Sequence, residues 1–164
     1  MDIGSLSMEG DHKWRPLLQE KYIQICPKIS PDGRWMAYVS WESGKSEVFV
    51  RPFPEVNKGK WQVSTSGGID PLWSPDGREL FYRSDDSVMA VAVETGPTFK
   101  AEKPEALFRD IYISPASYEY EIDTWDISPD GNRFLMMKES GSEFQSINIV
   151  VNWFEELKQK VPVD

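Results

Sequence analysis

Three times along the chain a short apolar run ends in Ser-Pro-Asp-Gly, and a second apolar run begins within three residues of the glycine. The runs before the tetrapeptide cover residues 25–29, 69–73 and 122–127; those after it cover 35–39, 80–82 and 134–137. They are short, rich in β-branched and aromatic residues, and bounded by turn residues, which predicts strands. A third run follows each pair, at 47–50, 88–93 and 147–151, and a fourth appears twice, at 60–64 and 105–108. The pattern therefore predicts four strands per repeat.

The tetrapeptide explains how the first two strands join. Pro at its second position pre-sets φ for a type I turn, Asp suits the third, and Gly takes the fourth, where φ > 0 is commonly needed. Such a turn closes a three-residue hairpin. Asp32, Gly33, Asp76, Gly77, Asp130 and Gly131 are thus expected to serve the turns. The turns begin at Ser30, Ser74 and Ser128, spacings of 44 and 54 residues. A four-strand unit of about 40–50 residues is the signature of a β-propeller blade, and blades bury their faces only by stacking on one another. The longer second spacing is assigned to an inter-blade loop over residues 109–122.

The ends modify this picture. Residues 14–19 read as the outer, fourth strand of a blade preceding the first, and residues 2–8 as its degraded third strand. The last repeat stops at Val151 without a fourth strand. After it, Asn152 caps a predicted amphipathic helix, with Glu155 three residues on and Trp153, Phe154, Leu157 and Val161 on one face. The expected organisation is a single all-β domain over 1–164. Residues 1–20 are donated to a neighbouring blade, 21–66 form blade 1, 67–109 blade 2 and 110–152 blade 3, and 153–164 form the helix and tail.

Composition narrows the function. The chain has 164 residues, enough for one domain with a real core, and a net charge of −9, which disfavours nucleic acid and anionic membranes. The single cysteine, Cys26, excludes an internal disulfide and any multi-thiolate metal site. No apolar stretch approaches the roughly 20 residues of a membrane span, and the N-terminal stretch lacks the charged and apolar regions of a signal peptide. The compartment stays open: cytoplasmic or, within a longer chain, periplasmic. His12 is the one histidine and has no nucleophile motif beside it. "ESGKS" (42–46) has neither the spacing nor the strand-to-helix setting of a phosphate loop. The carboxylates Asp85, Asp86, Glu119, Glu121, Asp123 and Asp126 show no spacing that fixes a catalytic pair or a calcium site. No cofactor is expected.

The runs "SPDGRWMAYVSWESGKSEVFVRPFP", "GKWQVSTSGG" and "ELFYRSDDSVMAVAVE", together with the repeated turn, resemble TolB-like β-propellers. More narrowly, they and the ending "INIVVNWFEELKQKVP" are similar to the C-terminal propeller half of large bacterial proteins that carry a kinase or DNA-binding regulatory domain. The resemblance implies a six-bladed, non-catalytic binding or sensor module. Three blades are half of such a ring, so a homodimer is expected. Trp14, Leu17 and Leu18 would close against Ile147, Ile149 and Val151 of a second copy by strand exchange.

All three turns must lie on one rim, leaving the loops of the opposite rim to bind a peptide, protein or small ligand. Tyr118, Tyr120 and Tyr112 are the leading candidates, because Tyr combines contact area with a hydrogen bond at low entropy cost, and Tyr22, Gln24 and Asp70 stand beside them. Two other readings stay open: a propeller hydrolase or lyase using channel carboxylates, and a domain whose role is purely structural.

Overall fold

The structure is a computed structural model and describes residues 1–109 and 124–137. Among the described residues it is all-β, with thirteen strands in antiparallel sheets and one 3-10 turn at Val56–Lys58. Blade 1 is a four-stranded meander of β3 (Gln24–Ile29), β4 (Trp35–Ser40), β5 (Glu47–Pro52) and β6 (Trp61–Gln62). Blade 2 repeats it with β7 (Ile69–Trp73), β8 (Glu79–Ser84), β9 (Ser87–Thr95) and β11 (Glu105–Arg109). The described part of blade 3 is the hairpin β12 (Trp125–Ile127) and β13 (Phe134–Met136). Ahead of blade 1, β1 (Ile3–Leu6) pairs with β2 (Trp14–Leu18).

Two features escape the hydrophobic pattern. Blade 2 carries an additional strand, β10 (Phe99–Ala101), which folds back on the end of β9 and extends that hairpin beyond the sheet. The innermost strands β3 and β7 each hold a bulge, where two residues face one across the pair. Cys26 and Asp70 occupy the bulges with φ of 52° and 51°. A proline follows each, so neither bulge asks that residue for an N–H in the ladder. The helix expected after Val151 falls outside the described residues.

Blades stack because alternate residues of each central strand serve opposite faces. Along β4, Trp35, Ala37 and Val39 join Val48, Val50 and Val63 and meet Trp73, Leu80, Tyr82, Val91, Val93 and Phe99 of blade 2. Met36 and Tyr38 point the other way, with Phe49 and Val56, onto Ile3 and Leu18 of the N-terminal pair. A third cluster joins Phe81 and Val88 of blade 2 to Trp125, with Phe134 and Met136 packed against it. The β9–β10 hairpin seals the first junction. Phe99 lies 5.3 Å from Trp35, 5.8 Å from Trp61 and 6.5 Å from Trp73, centroid to centroid. The carbonyl of Thr95 accepts from the Arg34 guanidinium at 2.5 Å.

Arg51 fastens the segment leading into blade 1. Its buried guanidinium donates to the Tyr38 hydroxyl at 2.9 Å and the Val56 carbonyl at 3.1 Å, and pairs with Glu20 just beyond β2. Desolvation would lower its proton affinity, but Tyr38 and Glu20 outweigh that and raise it.

Candidate functional site

Each Ser-Pro-Asp-Gly turn builds the same small network. The glycine N–H donates to the serine carbonyl at 2.8 to 2.9 Å, with glycine φ values of 72°, 70° and 73°. The serine hydroxyl donates to the aspartate, at 2.6 Å for Ser30–Asp32 and 2.7 Å for Ser74–Asp76, and Ser128–Asp130 repeats the contact. The same carboxylate oxygen accepts the backbone N–H two residues on, from Arg34, Arg78 and Asn132. The serine oxygen accepts the N–H five residues on, from Trp35 and Glu79, which open β4 and β8, and from Arg133, just before β13. At Asp32 burial opposes ionisation, but these donors and the Arg34 guanidinium outweigh it and hold the carboxyl below its usual range. Asp76 and Asp130 are lowered chiefly by their serine hydroxyls, then by the backbone N–H. Successive turns also touch: a Cβ on Gly77 would sit 3.7 Å from Pro31, and one on Gly131 3.7 Å from Pro75. The three turns therefore form a contiguous rim whose aspartates are occupied by their own turns.

The opposite rim carries the loops after β2, β4, β6 and β8. Buried Glu47 anchors two of them. It accepts from the Ser64 hydroxyl and, at 3.2 Å, from the Gly67 N–H, and it pairs with Lys45 at 3.2 Å. Ser64 Oγ in turn accepts the Val48 N–H at 2.7 Å, and the Gly68 N–H reaches the Ser46 carbonyl at 2.9 Å. Between these loops opens a cavity of about 250 Å³ bordered by Ser46, Gly67, Ile69, Arg83, Ser84 and Asp85. Arg83, itself buried, donates to Thr124 Oγ1 at 3.0 Å and lies 4.0 Å from Asp70 Oδ2. Asp70 Oδ1 is 3.9 Å from Cys26 Sγ. Cys26, Asp70 and Thr124 stand at the same position of three successive blades, so a polar belt crosses both junctions. Burial lowers the proton affinity of Arg83, and Asp70 partly restores it.

Of the rim candidates, Tyr22 is 41% exposed beside Ile23 at 49%. Gln24 is buried, with its amide nitrogen 3.5 Å from Glu20, and Asp70 is buried within the belt. Tyr112, Tyr118 and Tyr120 lie outside the described residues. Among the closure candidates, Trp14 is exposed and lies over Gly4, where a Cβ would come within 2.2 Å of its ring. Leu17 and Leu18 pack toward blade 1. Ile147, Ile149 and Val151 lie outside the described residues. Glu47, Ser64 and Arg83 belong to no motif, and their only signal along the chain is a charged or hydroxyl residue within an apolar strand pattern.

A second cavity, of about 400 Å³, is bordered by Lys28, Leu72, Thr124, Trp125 and Asp126 in and beside the innermost strands and by Leu135, Met136 and Met137 in and beside β13. Asp126 Oδ1 accepts the N–H of Ile127 at 2.8 Å, and the Ser87 hydroxyl reaches Asp86 at 2.9 Å. Among the described residues no group of three His, Cys, Asp or Glu is placed to hold a metal, and no helix is long and apolar enough to cross a membrane.

Stacked four-stranded meanders, joined first strand to second on one rim, define a β-propeller. The comparisons agree and add TolB. The solved TolB from Acinetobacter baumannii superposes with a TM-score of 0.51 at 14% identity, over 85% of this chain and 43% of that one. In sequence, the chain is 36% identical over 72 residues to the Tol-Pal system protein TolB of Alcanivorax borkumensis, which is 42% of this chain and 16% of that protein. This chain thus spans less than half of either relative. No protein-family model matches it. The fold is TolB-like.

Proposed function

We propose that this chain is a non-catalytic propeller module that binds a peptide, protein or small ligand on the rim opposite the Ser-Pro-Asp-Gly turns, and that two chains assemble into a six-bladed ring. The observation that carries the binding site is the contrast between the rims. One rim uses its aspartates in its own turns. The other holds its loops rigid through Glu47 and leaves Tyr22 and Ile23 exposed. Loops fixed on a rigid scaffold, with an exposed aromatic and a few convergent polar groups, favour binding. The curated relative is named as a protein of the Tol-Pal system, which favours a polypeptide ligand. With Glu47 and Asp70 engaged in structural contacts, this rim is read as a recognition surface and not as a reaction centre.

A peptide library selected on the wild-type chain supplies the probe. The Kd of a selected peptide is then measured by fluorescence anisotropy for Tyr22→Ala, for Tyr118→Ala with Tyr120→Ala, and for Asp76→Ala. The first two are expected to weaken binding about tenfold or more, the scale of an aromatic interface anchor, and Asp76→Ala to leave it unchanged. Selective loss in Asp76→Ala would move the site to the other rim and defeat the reading.

A further inference from the structure

The turn networks fix the equivalence of positions between blades. The N–H groups that bond the turn serines belong to Trp35, Glu79 and Arg133. Counting from them, Ala37, Phe81 and Leu135 share one position, and Val39, Arg83 and Met137 another. In blades 1 and 2 all four of these residues are buried against the following blade. In blade 3, Leu135 is 75% exposed and Met137 45%. Their neighbours Phe134 and Met136 already pack on blade 2, so these two residues occupy the face that the repeat reserves for a next blade.

The other end shows the complementary surface. Ile29, Trp73 and Ile127 share a position at the end of the innermost strand. Trp73 is buried against blade 1, and its indole N–H donates to the Lys28 carbonyl there at 3.0 Å. Ile29 is 43% exposed, although it pairs with buried Met36 and so shares that residue's face. The strands β1 and β2 cover only the outer half of this face, through Ile3 and Leu18 on Met36, Tyr38 and Phe49. Among the described residues no strand pairs with the second edge of β1. What the inner half lacks is a two-stranded hairpin that presents apolar side chains toward Ile29.

We infer that the β12–β13 hairpin of a second copy fills this place, so that Leu135 and Met137 of one chain cover Ile29 of the other, inside its β1–β2 pair. The inference rests on the ring reading above and names the surfaces that close it. It continues an interface the chain already makes twice, at the same repeat positions and with the same side of each blade. Three repeats doubled give six blades, within the four to eight with which propeller rings close. A two-fold axis makes both closures at once, which ends growth at a dimer. It also revises how strands are shared: β2 is held by β1 in its own chain, so the unit offered to the partner is the pair, not a lone strand.

Sedimentation equilibrium of the purified chain is expected to give a dimer. Leu135→Glu and Ile29→Lys change residues exposed in the single chain, so circular dichroism should stay unaltered. Each alone should raise the dimer Kd about thirtyfold or more, the size of an interface hot spot. An equimolar mixture of the two variants should recover the dimer, because one closure then pairs Lys with Glu and the other keeps Ile with Leu. A monomeric wild type, a dimer indifferent to both substitutions, or variants that dissociate without recovering on mixing would each overturn the inference. So would assembly only with a separate polypeptide carrying further Ser-Pro-Asp-Gly hairpins. Peptide affinity measured on the Tyr22→Ala dimer tests the rim independently, so either reading can fail while the other stands.

Discussion

Strands β4 and β13 occupy the same place in their blades, yet only one is sealed. Every residue of β4 is buried, with Trp35, Ala37 and Val39 against blade 2 and Met36 and Tyr38 against the N-terminal pair. Strand β13 is half-buried, with Phe134 and Met136 packed and Leu135 in solvent. Both strands are apolar on both faces. Among the described residues β4 has a packed neighbour on both faces and β13 on one, and burial follows the neighbour. The junctions differ in the same way. The first is closed by Phe99 among three tryptophans, while the second relies on Phe134 against Phe81 at 5.0 Å, Trp125 at 5.5 Å and Phe108 at 5.9 Å.

The sharpest way to break this contrast is Phe99→Ala. Phe99 is fully buried, so its loss should destabilise the chain by about 3–5 kcal/mol, as large-to-small changes in a packed core do. Phe134→Ala removes a half-buried ring and should cost less in the same urea titration. Equal costs would show that the two junctions are equally sealed.

Arg51→Met should come next, at about 2 kcal/mol, because it strands the Tyr38 hydroxyl and unties Glu20 while filling part of the space. Limited proteolysis should then cut first between β2 and β3. A cut elsewhere would mean that Arg51 does not hold the N-terminal pair.

The turns should give a smaller, pH-dependent effect. The carboxyls of Asp32, Asp76 and Asp130 all lie below their usual range. Their contribution is therefore complete above the ordinary Asp value of about 3.9 and is lost as pH falls through the lower folded values. The melting temperature should drop below about pH 4, and Asp76→Asn, which keeps an acceptor oxygen but no charge, should flatten that drop. Asp76→Ala should lower stability at every pH.

The smallest effect is spectroscopic. Burial pushes the Tyr38 phenol to about 12 despite the Arg51 guanidinium, and burial reinforced by the Glu47 charge does the same at Tyr82. Both should resist ionisation in an ultraviolet titration where ordinary tyrosines titrate near pH 10. Their folded values exceed their unfolded ones, so stability should decline as pH rises above about 10. Tyr38→Phe and Tyr82→Phe should each remove part of the late absorbance change.

The repeated turn and the strands around it were legible in the chain because they are local. Pro sets one dihedral, Gly permits a positive φ, and the serine and aspartate bond to backbone within five residues. The alternation along residues 35–39 likewise announced a strand with two apolar faces. Other features were decided only when distant segments met. Strand β10 is three residues without a period of its own, and Phe99 is fixed by tryptophans from two blades. Asp70 looked like a rim ligand by its place in a loop-to-strand segment, but the bulge turns it inward to Arg83, which a strand pattern does not encode. Gln24 is covered by Glu20 and the N-terminal segment for the same reason. Local sequence settles dihedrals and alternation, which depend on near neighbours. Which face is buried, and which charge is paired, depends on free energies that arise only when blades stack.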